Sequence, residues 1–321
     1  MHRRPSSLLA LAALLAVAAS ASRADAQAAA PAPTPTPTPM PTTPASKLEW
    51  SESWPRFRPA EIAFTGGMAL NVAMALFLYP APKNNWDSAI LFDKPVRETF
   101  TLKNRDSRNL AASVSDGIYY ALAAYPLLDT LVVAGAIHGE GDLTVQMLAI
   151  DLESYAFGGA IALSAEKAGR RRPMGRTCEQ DPGYDKKCGN DDNLNSSFLS
   201  GHTTIGFVGA GLLCAHHLNV PLYGGGASDT ATCIAGMSAA VVGGAFRVVS
   251  DNHWASDVII GAGVGLFAGY GLPVLLHYGR SRTAKRTSFL PTFSIPKAGA
   301  YGVVAPTVGP NEGGLSLTGT F

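Results

Sequence analysis

An all-α fold, a bundle of about six core helices, is predicted by three features of the sequence. From Pro59 to about Tyr278, apolar segments of helical length alternate with short polar ones. Hydrophobic residues make up 47% of the chain and charged residues only 15%, whereas an ordinary soluble domain carries roughly 25% charged residues. Two of the segments, Thr230–Phe246 and Val258–Leu276, contain no charge at all.

In chain order, residues 1–26 read as an export signal. His2, Arg3 and Arg4 form a basic start, and Leu8–Ala19 is apolar but short for a bilayer span. Small-x-small sites follow at Ala19-Ser20-Ala21 and Ala24-Asp25-Ala26, and cleavage is expected after Ala26. An uncleaved anchor is the alternative. Residues 27–58 form a linker; its Pro-Thr alternation within Ala28–Ser46 predicts an extended spacer with almost nothing to bury.

The helical domain, residues 59–279, is expected to hold helices near Ala60–Leu78, Asn109–Ala136, Leu143–Glu166, Gly201–Leu218, Asp229–Val249 and Ala255–His277. Several are rich in Gly and Ala, which permits close packing, and their lengths approach the roughly 20 residues that cross a bilayer. Asp129, Asp151 and Glu153 interrupt the apolar pattern. Such acids are costly in lipid and must face a protein interior or water. The bundle is therefore either integral to a membrane or a soluble helical domain. Residues 280–321 form a tail with a basic start and β-prone pieces at Tyr301–Val304 and Leu315–Phe321, which predict a small hairpin or an extended arm.

Of the four cysteines, Cys178 and Cys188 bracket a polar loop and suggest a disulfide in an exported protein. Cys214 and Cys233 lie in apolar segments and are expected to be small core residues. The spacing does not resemble a zinc site. A cleaved signal followed by three spans would put the loop after Glu166 inside the cell, whereas its disulfide belongs outside. Two arrangements resolve this: Ala60–Leu78 does not cross, or the bundle is soluble. The net charge of +1 argues against general nucleic-acid binding.

Three polar clusters fall at helix rims. The first is Gly169-Arg170-Arg171-Arg172-Pro173, where Pro173 ends the helix and arginine suits forked contacts with phosphate. The second is Ser200-Gly201-His202, in which Ser200 is a natural N-cap and the helix start offers free N–H groups to an anion. The third is Arg247, His253 and Asp257. His253 and Asp257 stand four apart, so one helix face would carry a histidine and a carboxylate that fixes its tautomer.

Together the clusters resemble the signature of the phosphatidic acid phosphatase type 2 family, which includes bacterial class A acid phosphatases and vanadium haloperoxidases. That signature reads Lys-x6-Arg-Pro, Pro-Ser-Gly-His and Ser-Arg-x5-His-x3-Asp. Here it stands as Ala165-x6-Arg172-Pro173, Leu199-Ser200-Gly201-His202 and Phe246-Arg247-x5-His253-x3-Asp257, within roughly Ile118–His277. The family lysine falls on Ala165. Lys167 lies two residues on, about 200° around a helix, and substitutes only if the helix end deforms.

The resemblance implies a multi-helix bundle of the family's fold and a phosphatase that needs no cofactor or metal. His253 would attack phosphorus, Asp257 would orient it, and His202 would protonate the leaving group. Arg172, Arg247, Ser200, Gly201 and Lys167 would hold the phosphate oxygens. The expected substrate is a phosphomonoester or a lipid phosphate or pyrophosphate, and a lipid if the bundle is integral. The expected location is the envelope of a bacterial-type cell, with the site facing the periplasm, or else soluble in the periplasm. The rival readings are a non-catalytic phospholipid-binding envelope protein, a vanadium haloperoxidase, and a metal hydrolase using His202, His253 and Asp257.

Overall fold

The computed structural model describes residues 48–279 and the strands Tyr301–Val308 and Gly313–Thr320. The expected export signal and the Pro/Thr spacer Ala28–Ser46 lie outside the described residues. The helices are α1 Pro59–Phe77, α2 Asp93–Phe100, α3 Arg105–Leu128, α4 Gly141–Glu166, α5 Gly175–Gln180, α6 Asp191–Leu194, α7 Gly201–Asn219, α8 Ala227–Val249, α9 Ala255–Leu266 and α10 Leu272–Leu276. Helix α3 runs on through a π-helical stretch, Asp129–Ile137, shortly after Pro126 removes a backbone donor. A second such stretch, Phe267–Gly271, joins α9 to α10. The two strands form an antiparallel hairpin, with Tyr301 paired to Thr320 and Val308 to Gly313.

The described residues are all-α apart from that hairpin, and the six long helices, counted with their π-helical continuations, fall within four residues of the segments expected from the sequence. Helix α7 is central, with nearly every residue from Thr203 to His217 buried. Small residues let it sit close to its neighbours: a Cβ on Gly209 would lie 2.0 Å from the Leu122 carbonyl oxygen of α3.

Five stretches are long and apolar enough to cross a membrane: Pro59–Phe77, Arg105–Ile137, Gly141–Glu166, Ala227–Val249 and Ala255–Leu276. Their outer faces leave Phe77, Ile137, Val145, Ile234, Val241, Ile259 and Leu275 exposed. An apolar belt of that extent suits lipid rather than water.

Four of the acids within these helices, Asp129, Asp151, Glu153 and Asp229, are buried and paired with histidines or hydroxyls. Asp151 accepts from His216 at 2.8 Å and from Thr130 at 2.8 Å, and Glu153 meets His277 at 2.7 Å. His217 lies between Asp129 at 3.0 Å and Asp229 at 2.5 Å. A charge in a low-dielectric interior is tolerated when paired, so these pairs tie α7 to α3, α4 and α8.

Two expectations are corrected here. Cys214 and Cys233 are not merely small core residues: they form a disulfide, with Cα atoms 4.4 Å apart. Helices α7 and α8 are antiparallel neighbours, and the sequence alone does not show which faces meet. Helix α1 also runs the full height of α4. Arg56, just before α1, pairs with Asp142 in the first turn of α4, and the Pro80 carbonyl beyond α1 accepts from Lys167 beyond α4 at 3.3 Å. If α4 crosses a bilayer, α1 crosses with it, so the arrangement in which Ala60–Leu78 stays out of the membrane is removed.

Candidate active site

At one rim of the bundle the ends of α1, α4 and α8 meet the starts of α3, α7 and α9. Leu102, just before α3, donates its amide to the carbonyl of Val249 at the end of α8 at 2.9 Å. The Ser200 amide donates to the Asp257 carbonyl at 3.3 Å, joining the starts of α7 and α9. All three sequence clusters converge on this rim.

The first cluster divides its labour. Helix α4 stops at Glu166, and Gly169 adopts φ +72°, where an added Cβ would lie 1.9 Å from the Lys83 carbonyl oxygen. The chain then runs extended beside Trp86. Arg170 is fully buried and donates to Asp257 at 2.5 Å and to Asp93 at 2.7 Å. Arg171 pairs with Glu179 at the surface. Arg172 turns into the site. Its guanidinium is held by the carbonyls of Asn193 (2.5 Å) and Asn252 (2.8 Å) and by Ser196 Oγ (3.2 Å). Its Nη1 also donates to His253 Nε2 at 3.0 Å. Burial, more than any neighbouring charge, lowers the Arg172 pKa to about 10, so it stays cationic at neutral pH.

That contact defines the state of His253. Its Nδ1 lies 2.8 Å from the Ser197 carbonyl oxygen, which can only accept, so Nδ1 carries the proton. Nε2 therefore presents a lone pair to the site. Burial first, then Arg172 and Arg247, push the pKa of His253 well below the ordinary histidine value. A neutral imidazole with a fixed tautomer is the form a nucleophile needs.

Asp257 is not the direct orienter of His253. Its carboxylate accepts from Arg170, from Ser197 Oγ at 2.6 Å and from the Trp254 amide at 3.2 Å. The reason is positional. His253 precedes the N-cap Trp254 and is not yet helical, so four-residue spacing does not put it on one face with Asp257. The carboxylate sits three residues into the N-terminal turn and folds back on the cap. It acts on His253 through Ser197, whose side chain it holds and whose carbonyl meets the ring.

His202, in the first turn of α7, packs on Tyr119 with ring centroids 4.6 Å apart. Its Nε2 lies 3.2 Å from Asp116 Oδ1 of α3. The same carboxylate accepts from Arg247. Arg247 also donates through Nε to Ser115 Oγ at 2.8 Å. The pair Ser115-Asp116 thus sets both Arg247 and His202. Neither residue stood out in the sequence, although an acid amid the apolar pattern of α3 was the available signal.

Ser200 is buried, and its hydroxyl bonds Thr203 Oγ1 at 2.9 Å rather than capping the backbone. With the Ser200 amide engaged by Asp257, the amides without an intrahelical acceptor are those of Gly201, His202 and Thr203. Glu166 faces this helix start, its Oε1 3.3 Å from where a Gly201 Cβ would stand.

Lys167 is engaged elsewhere. The chain turns at the end of α4 and sends its ammonium to the Pro80 carbonyl. Lys187 stands near Arg172 and Arg247. It lies in the loop closed by the Cys178–Cys188 disulfide and donates to Asn252 Oδ1. Nothing in the motif spacing marked it. The site thus gathers Arg172, Arg247 and Lys187 around a neutral His253, with His202 alongside. A cationic pocket of this kind is suited to a phosphate whose oxygens gain or redistribute charge during transfer.

Residues 152–281 match the family described as the PAP2 superfamily, a span that contains all three clusters. The chain resembles that superfamily over this span, which is less than half of its length. It is also 37% identical over 79 residues to a lipid A 1-phosphatase of Porphyromonas gingivalis, strain ATCC 33277. The matched stretch covers 25% of this chain and 16% of that relative.

Proposed function

We propose that the chain is a phosphatase acting on a lipid phosphate or pyrophosphate through a phosphohistidine. The observation that carries this reading is His253 Nε2, a lone pair fixed by the Ser197 carbonyl and aimed at Arg172. Nε2 attacks phosphorus, and the bond from phosphorus to the ester oxygen breaks. His202 delivers a proton to the departing oxygen, with Asp116 positioned to hold the ring. Arg172, Arg247 and the free amides at the start of α7 bind the phosphate oxygens. Water then attacks the phosphohistidine, giving a proton back to His202; the nitrogen–phosphorus bond breaks, releasing phosphate and restoring both histidines. The lipid A 1-phosphatase relative supports a lipid substrate. So do Leu91, Phe92 and Phe100, apolar residues exposed on the segment that borders this rim.

The test is phosphate release by the full chain in detergent or vesicles. Lipid phosphates, isoprenyl pyrophosphates and soluble monoesters would be compared, with and without chelator. Turnover is expected to be fastest on a lipid substrate and to survive chelation. No turnover on any of them, with phospholipid still bound, would favour the non-catalytic reading.

We further propose that this rim faces the periplasm. Its Cys178–Cys188 disulfide suits an oxidising compartment. Six long helices then place Trp50 and the segment before α1 on the cytoplasmic side. In that arrangement Leu8–Ala19 is not a cleaved export signal. Introduced cysteines would report the topology in intact cells through a membrane-impermeant maleimide. Asn84→Cys, exposed on the catalytic rim, is expected to label, and Glu52→Cys, exposed at the other, to stay protected. Labelling of Glu52→Cys alone would reverse the orientation.

A further inference from the structure

We propose that Lys187, presented by the Cys178–Cys188 loop, is the phosphate-binding lysine of this site, in place of the one absent at Ala165. The inference rests on the phosphatase reading and assigns a ligand within it.

Position, charge and rigidity each support it. Lys187 Nζ bonds Asn252, the residue before His253, and the Asn252 carbonyl accepts from Arg172. The ammonium therefore stands beside the guanidinium that touches the nucleophile. Lys187 is half-buried, and among the described residues no carboxylate lies within 4.0 Å of its Nζ. Its neighbours of like sign are Arg172 and Arg247; Asp185 of its own loop and Asp116 of α3 act at longer range. Burial first, and then the two arginines, lower its pKa to about 8. A cation packed among cations, with a neutral amide as its side-chain partner, is a place where an incoming anion would supply the missing charge.

The loop is braced to hold it there. Met174, Cys178 and Leu194 form a small core beneath it, against which Tyr184 and Cys188 pack. Tyr184 donates to Asp251 at 3.0 Å, its carbonyl accepts from Arg108 at 2.7 Å, and Asp185 accepts from the Lys187 amide at 2.9 Å. Cys188 is the next residue, so the disulfide fixes the backbone one position from the ammonium.

The decisive experiment measures inorganic phosphate affinity by calorimetry, alongside kcat and KM, on the full chain. Lys187→Ala is expected to weaken phosphate binding and raise KM about 10- to 100-fold, with a smaller loss in kcat. Lys187→Arg should recover most of both. In wild type kcat/KM should fall as pH rises through about 8, where free Lys187 loses its proton, and in Lys187→Arg that limb should move to higher pH. Cys178→Ser/Cys188→Ser should reproduce the affinity loss and add little to it when combined with Lys187→Ala. Phosphate affinity and KM within twofold of wild type in Lys187→Ala would overturn the assignment while leaving the phosphatase reading intact. Wild-type turnover in His253→Asn would instead overturn the phosphohistidine reading, and this inference with it. A reduced pair with unchanged affinity would show that the disulfide does not hold Lys187 in place.

Discussion

His253→Asn is expected to lower turnover by about 10⁴-fold or more while leaving inorganic phosphate binding near wild type. The side chain supplies the attacking atom, and Asn has no equivalent nitrogen lone pair. Its amide N–H can still donate to the Ser197 carbonyl that now meets Nδ1, so the loop has reason to stay in place. Single-turnover labelling makes the test specific. Wild-type protein quenched during turnover should carry an acid-labile phosphoryl group on histidine, and the variant should carry none. Label retained in His253→Asn would sink the mechanism. The pH dependence adds a sign. The His253 pKa is depressed, so the ring stays neutral as pH falls through the ordinary histidine range near 6.5. Loss of the nucleophile by protonation is therefore expected only well below that range. Asp257→Asn should cost less than His253→Asn, because Asp257 reaches the ring through Ser197.

The helices were legible in the sequence because each apolar segment is long, uninterrupted and bounded by Gly, Pro or a cap. Convergence of the three clusters was legible as well, through spacing that resembles a family signature. Partners across the bundle were not. Asp116 and Ser115 meet Arg247 from a helix more than 100 residues earlier, and local spacing carries no information about that meeting. The His253–Asp257 contact failed for a different reason: four-residue spacing places two side chains together only when both residues are helical, and His253 precedes the helix. The position of Lys187 is not legible in the sequence, because it depends on a disulfide-closed loop folding back over the rim. Three consecutive arginines read as one basic cluster, yet the extended backbone after Gly169 sends alternate side chains to opposite sides.

That alternation leads to the other large expected effect. Arg170→Met should destabilise the protein by about 3–5 kcal/mol, because it leaves two buried carboxylates without their cation. Arg170 and both its partners, Asp93 and Asp257, are fully buried at the side chain. The guanidinium also lies 4.3 Å from the Trp86 ring centroid and donates to Ser256 Oγ at 2.9 Å. Met fills similar volume but carries no charge. Burial alone would raise the Asp93 pKa, yet hydrogen bonds from Ser256, Ile90 and Arg170 outweigh it and hold that carboxyl below its ordinary value. A depressed carboxyl pKa contributes stability above the unfolded value near 3.9, and the contribution is lost as pH falls. Without Arg170 the carboxyl takes up its proton more readily, so the variant's deficit should shrink as pH drops from 7 towards the ordinary carboxylate value near 3.9. Melting temperatures of wild type and variant at the two pH values would show this, and equal values at pH 7 would refute it. Asp93→Asn added to Arg170→Met should recover part of the loss, since it removes one stranded charge. Arg172→Met makes the contrast. Two residues away, its guanidinium is held by carbonyls, a serine hydroxyl and His253 rather than by a close carboxylate. Its loss should therefore remove most turnover at little cost in melting temperature, separating the arginine that holds the rim together from the one that meets phosphate.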